Sequence, residues 1–271
     1  MALPELAETK QGKIPDDGTV SFQNVSFSYS GDDNLALSDV SFTARAGEVT
    51  AIVGTSGGGK STIAHLIPRF WDVSKGRICI GNVDIREMTE QDLMRQVSFV
   101  FQDVYLFNQR IRDNIKIGFP EASNEEVIAA AKAACCDEFI TNLPNGYDTV
   151  LGEEGIHLSG GEAQRISIAR AIIRNTPVLV LDEATAFADP ENERLIQMAL
   201  RRLMEGRTVI IIAHRLGTIK DANNILVMNK GKLVESGTHS ALLQTNGVYS
   251  DMWTRYTQSL EWGIGKETVI S

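Results

Sequence analysis

Gly54-Thr55-Ser56-Gly57-Gly58-Gly59-Lys60-Ser61 has the spacing G-x-x-x-x-G-K-[ST] of a phosphate-binding loop. Glycines let the backbone curl until successive N–H groups converge on one point. A helix beginning there adds its dipole, so the concavity suits phosphate oxygens. Lys60 adds a full positive charge for the β- and γ-phosphates, Ser61 a hydroxyl for Mg2+, and Thr62 reaches the α-phosphate side. The context fits: an apolar strand over residues 48–53 runs into the loop, and a helical pattern over 62–70 follows.

A second constellation lies at Val178-Leu179-Val180-Leu181-Asp182-Glu183. Four apolar residues make a buried parallel strand, and two carboxylates stand at its C-terminal end, where open α/β sheets bind ligands. Alone, such a run is more often a strand end with solvated acids. Beside a phosphate loop, Asp182 is expected to hold Mg2+ through water. Glu183 is expected to orient or deprotonate the attacking water. A third feature is Ser159-Gly160-Gly161, which opens a helix over residues 162–174 and makes a second helix start suited to an anion.

Leu158-Ser159-Gly160-Gly161-Glu162-Ala163-Gln164 resembles the LSGGQ signature of the ABC ATPases in its LSGGE form. The resemblance covers residues 19–250, and it implies ATP and Mg2+ as ligands. It further implies that Ser159, Gly160 and Gly161 complete the ATP site of a second ATPase domain, identical or different, paired head to tail. Tyr29 resembles the aromatic that stacks on adenine, and Gln102 the glutamine that contacts Mg2+ and the attacking water. His214 resembles the switch histidine at the γ-phosphate, and Asp189 occupies the D-loop aspartate position. The D-loop usually reads Ser-Ala-Leu-Asp; here it is Ala186-Phe187-Ala188-Asp189. The aspartate remains, so hydrolysis is expected to survive while communication between subunits is altered.

These residues need elements to position them. Residues 1–18 read as linker. A strand with Val20, Phe22, Val25 and Phe27 follows, with an irregularity near Asn24, then a strand over 35–44. From about 103 to 173 the pattern is helical, including a capped helix over 124–136. Strands over 178–181 and 208–213 flank a helix over 190–204, and a hairpin forms around Asn229-Lys230-Gly231. The expected fold is α/β: a P-loop NTPase core with a mostly parallel sheet, an N-terminal antiparallel β-subdomain and an inserted helical subdomain. The ATPase domain is expected over 19–255, with the helical subdomain at about 103–173 and a tail over 256–271.

The formal net charge of −9 gives no electrostatic reason to expect a nucleic-acid partner. Three cysteines, Cys79, Cys135 and Cys136, form no CxxC pair and read as small buried or half-buried thiols. No apolar run has the length of a membrane span, so this segment is expected to be soluble.

Residues 106–115 resemble the segment after the Q-loop glutamine in exporter-type transporters, and residues 149–155 resemble their X-loop. The resemblance implies a transmembrane domain fused N-terminally and a place on the cytoplasmic face of the membrane. The D-loop variant resembles that of exporter-fold transporters that import siderophores. The alternative is a soluble ABC ATPase acting on DNA, ribosomes or iron–sulfur assembly. Residues 60–159 hold no long coiled coil, however, and the chain carries one cassette.

Overall fold

The computed structural model describes residue 6 and residues 12–31, 34–101, 103–152, 155–182, 190–213 and 216–267. In chain order the first elements are β1 (Val20–Phe27), β2 (Leu37–Ala44), β3 (Val49–Gly54), α1 (Lys60–Leu66), β4 (Lys75–Ile80) and β5 (Val83–Asp84). Next come α2 (Glu90–Gln96), β6 (Val97–Val100), α3 (Ile111–Lys116), α4 (Asn124–Ala133), α5 (Asp137–Thr141), α6 (Gly160–Arg174), β7 (Val178–Asp182) and α7 (Pro190–Met204). The chain then runs through β8 (Thr208–Ile212), β9 (Asn224–Asn229), β10 (Lys232–Gly237), α8 (His239–Gln244) and α9 (Val248–Glu267). Met1–Thr89 with Ile210–Ser271 make one compact unit, and Glu90–Val209 a second.

The fold is α/β. In the first unit an antiparallel sheet has the order β2-β1-β4-β5. Its apolar face shows why β1 needs a defect. Val20 and Phe22 bury, and so do Val25 and Phe27, yet the two pairs differ in parity. Side chains alternate with period two, so one extra residue is required between them. The register shift falls there, between Phe22 and Val25, and Asn24 takes φ 50°. Its backbone N–H donates to Ser41 Oγ at 2.8 Å. Phe22 stacks on its cross-strand partner Phe42 with ring centroids 4.5 Å apart.

In the same unit β3 runs parallel to β9, and β9 pairs antiparallel with β10. Ala51, Ile52 and Val53 are fully buried, as a strand covered on both faces demands. In the second unit β6 and β7 form another parallel ladder, with Val178, Leu179 and Val180 fully buried.

Two helices end earlier than their residue patterns suggest. The pattern over 62–70 gives α1 at Lys60–Leu66, because Arg69 adopts φ 58° and turns to pair with Asp72 at 2.7 Å. The pattern over 124–136 gives α4 at Asn124–Ala133, because Cys135 adopts φ 56°. Arg202 Nη1 donates to the Lys132 and Ala133 carbonyls at 3.2 and 3.1 Å, satisfying the end of α4. The N-terminal cap of α4 is a full capping box between Ser123 and Glu126. Cys79 and Cys136 are buried and Cys135 half-buried, all as free thiols. Among the described residues no helix is long and apolar enough to cross a membrane.

Candidate nucleotide site

The phosphate loop lies in the first unit, between β3 and α1. Gly54 has φ 145°, and a Cβ there would stand 1.9 Å from the Met228 carbonyl oxygen. Gly59 caps α1 with φ 95°. Only glycine satisfies both positions. Gly58 N–H donates to Thr55 O at 3.0 Å, closing the loop. Thr55, Ser56, Gly57 and Ser61 are exposed, so the loop mouth and the Ser61 hydroxyl are accessible. Lys60 is buried along its stem, and its ammonium donates to Gly54 O and Thr55 O at 3.1 and 3.0 Å. The charge is thereby held at the loop itself, where the phosphate oxygens of a nucleotide would sit. Curled backbone, anchored ammonium and exposed hydroxyl fit ATP. Ser61 also supplies an oxygen donor of the kind Mg2+ accepts.

Beyond the loop residues, the hairpin turn buttresses this cradle. Gly231, at φ 75°, donates its N–H to Gly58 O at 3.2 Å and accepts from Ser38 N at 2.9 Å. A Cβ on Gly231 would stand 2.8 Å from Ala36 O. One glycine thus pins the phosphate loop to the start of β2. The sequence shows Asn229-Lys230-Gly231 as a turn but carries no sign of what the turn touches.

Tyr29 lies in the same unit and is 44% exposed. Its ring meets Phe27 and Trp71 nearly at right angles, with centroids 4.8 and 5.2 Å away. Its hydroxyl donates to Thr62 Oγ1 at 3.1 Å. Trp71, absent from the sequence expectations, is therefore part of the backing of this ring.

In the second unit Ser159 caps α6 with a capping box. Its Oγ accepts from Glu162 N at 3.3 Å, and Glu162 Oε2 accepts from both Ser159 N and Ser159 Oγ at 2.8 Å. Ser159 and Gly160 are exposed, whereas Gly161 is buried. Asp182 ends β7 and is half-buried. Gln102, Glu183, Asp189 and His214 lie outside the described residues.

Residues 106–115 and 149–152 come together within the second unit. Arg110 and Val150 form an antiparallel bridge, Ile111 N–H donates to Thr149 O at 3.0 Å, and Leu151 N–H donates to Gln109 O at 3.1 Å. Asn114, fully buried, shapes the first segment: its amide donates to the Phe107, Gln109 and Arg110 carbonyls at 3.0, 3.3 and 3.2 Å. Arg170 of α6 clamps it, donating to Asn114 O at 2.7 Å, Asn114 Oδ1 at 2.6 Å and Tyr105 O at 2.7 Å. Burial pushes the Arg170 guanidinium down to about 10, and it remains charged at neutral pH. Tyr105, Phe107 and Val150 remain exposed around this junction.

Residues 37–186 match the family model for ABC transporters. The chain belongs to the ABC transporter family. An ATP-dependent lipid A-core flippase of Syntrophus aciditrophicus (strain SB) is 52% identical over 230 residues, which are 85% of this chain and 38% of the flippase. The flippase of the same name from Haemophilus influenzae (strain 86-028NP) is 50% identical over 241 residues, 89% of this chain and 41% of the flippase. The structure of a bacterial Atm1-family ABC exporter with ATP bound superimposes with a TM-score of 0.86 at 45% identity, over 93% of this chain and 44% of the exporter. The chain therefore spans about two fifths of the length of the curated relatives it matches.

Proposed function

We propose that this chain is the ATP-binding and ATP-hydrolysing domain of a membrane transporter of the export type. The carrying observation is that one chain holds two separate phosphate-type backbone sites, the cradle at Gly54–Gly59 and the capped helix start at Ser159. A P-loop kinase or GTPase has use for the first alone. Two such chains paired head to tail bring the Ser159 end of one to the nucleotide on the other's Lys60, making two shared sites.

In this reading Tyr29 offers its exposed ring to adenine, and the loop amides and Lys60 bind the phosphates. Ser61, Gln102 and Asp182 would hold Mg2+, which neutralises the β- and γ-phosphate oxygens when bound. Glu183 accepts the proton of the attacking water, His214 contacts the γ-phosphate, and Asp189 carries the D-loop contact. ATP pairs the domains because its γ-phosphate meets positive ends on both chains, and the −9 charge on each chain opposes pairing without it.

The helical part, about residues 103–173, is the receiver of the membrane domain. The greater length of the relatives supports a transmembrane part ahead of this segment, and in this reading the ATPase lies on the cytoplasmic face. The junction of residues 106–115 with 149–152, rimmed by Tyr105, Phe107 and Val150, is the surface for its coupling helices. Light scattering of the Glu183→Gln chain tests the reading: dimer with ATP and Mg2+, monomer with ADP. If the chain stays monomeric in ATP both alone and with every candidate partner chain, the shared site is wrong.

A further inference from the structure

We infer that Asn192 and Arg165 brace the signature helix onto α7, and that residue 161 is glycine because Asn192 fills the space its side chain would need. The inference rests on the proposed function, which makes Ser159 and Gly161 a contact for the second chain's ATP.

Room for an approaching phosphate explains a glycine at an exposed position. Gly161 is buried, unlike Ser159 and Gly160 before it. A Cβ built on Gly161 would stand 2.7 Å from Asn192 Cγ, 2.9 Å from its Cβ and 2.9 Å from its Oδ1. The obstacle belongs to this chain, and it cannot swing aside. Asn192 Oδ1 accepts a short hydrogen bond from Arg165 Nη1. Arg165 is only 4% exposed, and its guanidinium lies over the Phe139 ring, 5.3 Å from the centroid.

The brace is not built for stability. Among the described residues Arg165 Nε has no hydrogen-bond partner, and neither does either amide atom of the adjacent, fully buried Gln164. Apolar side chains would fill the same space without leaving polar groups unpaired. What polar contacts supply instead is a fixed geometry between two helix starts. Asn192 is in the first turn of α7, which directly follows residues 183–189. A shift of the α6 start, driven by the partner's ATP, is transmitted through Asn192 to the start of α7. The segment bearing Glu183 and Asp189 is covalently joined to that start. Asn192 and Arg165 are thus positioning residues that link one ATP site to the other.

The test is a rescue in the 271-residue chain, comparing Gly161→Ala, Asn192→Gly and the double variant by ATPase kinetics and thermal unfolding. Gly161→Ala is expected to lower kcat roughly tenfold to a hundredfold, with the monomer's affinity for ATP unchanged. It is also expected to lower the unfolding midpoint, although alanine at an unobstructed helical position would raise it. Adding Asn192→Gly is expected to recover most of the lost unfolding midpoint, because the clash is gone, but not kcat, because the acceptor for Arg165 is gone with it. A double variant whose midpoint is as low as the sum of the two single changes overturns the inference. Asn192→Asp keeps the acceptor for Arg165 and should keep kcat, whereas Asn192→Leu should lose about tenfold in kcat with KM unchanged, at a temperature where both are folded. Equal kcat in those two variants also overturns it. If the parent neither hydrolyses ATP nor pairs in its presence, the proposed function fails instead. The unfolding midpoints of the rescue set then decide the contact: additivity overturns it and recovery in the double variant supports it.

Discussion

Tyr29 donates its hydroxyl to Thr62 Oγ1 across 3.1 Å, so the exposed aromatic ring is tied to the first turn of the helix that starts at Lys60. In the proposed function, a platform for the base and the helix that faces the phosphates are thereby registered to each other within one unit. The hydrogen bond and the ring make separable contributions. Tyr29→Phe loses a bond worth about 1 kcal/mol and should change the KM for ATP by a few-fold at most. Tyr29→Ala also loses a stacking surface of about 1–3 kcal/mol and should raise KM about tenfold while sparing kcat. ATPase kinetics of the two variants side by side check this.

Gly231 is remote in sequence from the phosphate loop but bonded to it through Gly58 O. Gly231→Ala sets a Cβ 2.8 Å from Ala36 O at a positive φ. That strain, about 1–3 kcal/mol, should be relieved by displacing the hairpin and the loop with it. Nucleotide titration should show weaker binding, about tenfold, in a chain whose secondary structure is unchanged by circular dichroism.

Glu183→Gln should retain ATP binding and lose turnover by about a hundredfold to ten-thousandfold, because the amide cannot accept the water's proton. Lys60→Ala removes the charge now held on the Gly54 and Thr55 carbonyls and should weaken binding itself. Equilibrium binding and single-turnover hydrolysis distinguish the two. Parental turnover by Glu183→Gln would remove Glu183 as the base.

Glu162 holds both the N–H and the hydroxyl of Ser159. It serves the cap, yet its carboxylate stands at the helix start that, in the proposed function, receives a phosphate. Glu162→Gln keeps an acceptor for the capping box and removes the negative charge. ATP-driven pairing of the Glu183→Gln chain should then tighten by a few-fold, measured by light scattering over a concentration series, and more so at low salt. Weaker pairing would mean that the carboxylate contributes to the interface directly.

Asn114 and Arg170 should matter twice. Removing either partner leaves buried polar groups unpaired, so Asn114→Leu or Arg170→Met should cost about 3 kcal/mol of stability in denaturant unfolding. In an intact transporter Arg170→Lys, which keeps the charge but not the three-point fork, should preserve ATP hydrolysis and reduce transport per ATP. Unchanged coupling in that variant would place the membrane-domain contact elsewhere.

The phosphate loop and the capped signature start were legible because their chemistry is local. Consecutive backbone N–H groups converge within eight residues or fewer, so residue type and spacing carry nearly all the information. The defect in β1 was legible for the same reason, since the parity of Val20, Phe22, Val25 and Phe27 demands an inserted residue wherever the strand pairs. The ends of α1 and α4 were not. Arg69 and Cys135 turn left-handed; the Arg69 side chain pairs with Asp72, and Arg202 takes up the end carbonyls of α4 from seventy residues away, and helical periodicity registers neither contact. The roles of Gly231, Trp71, Arg165 and Asn192 were equally hidden. Each acts by filling or bonding a space that another segment creates, and such a space exists only once the chain has folded.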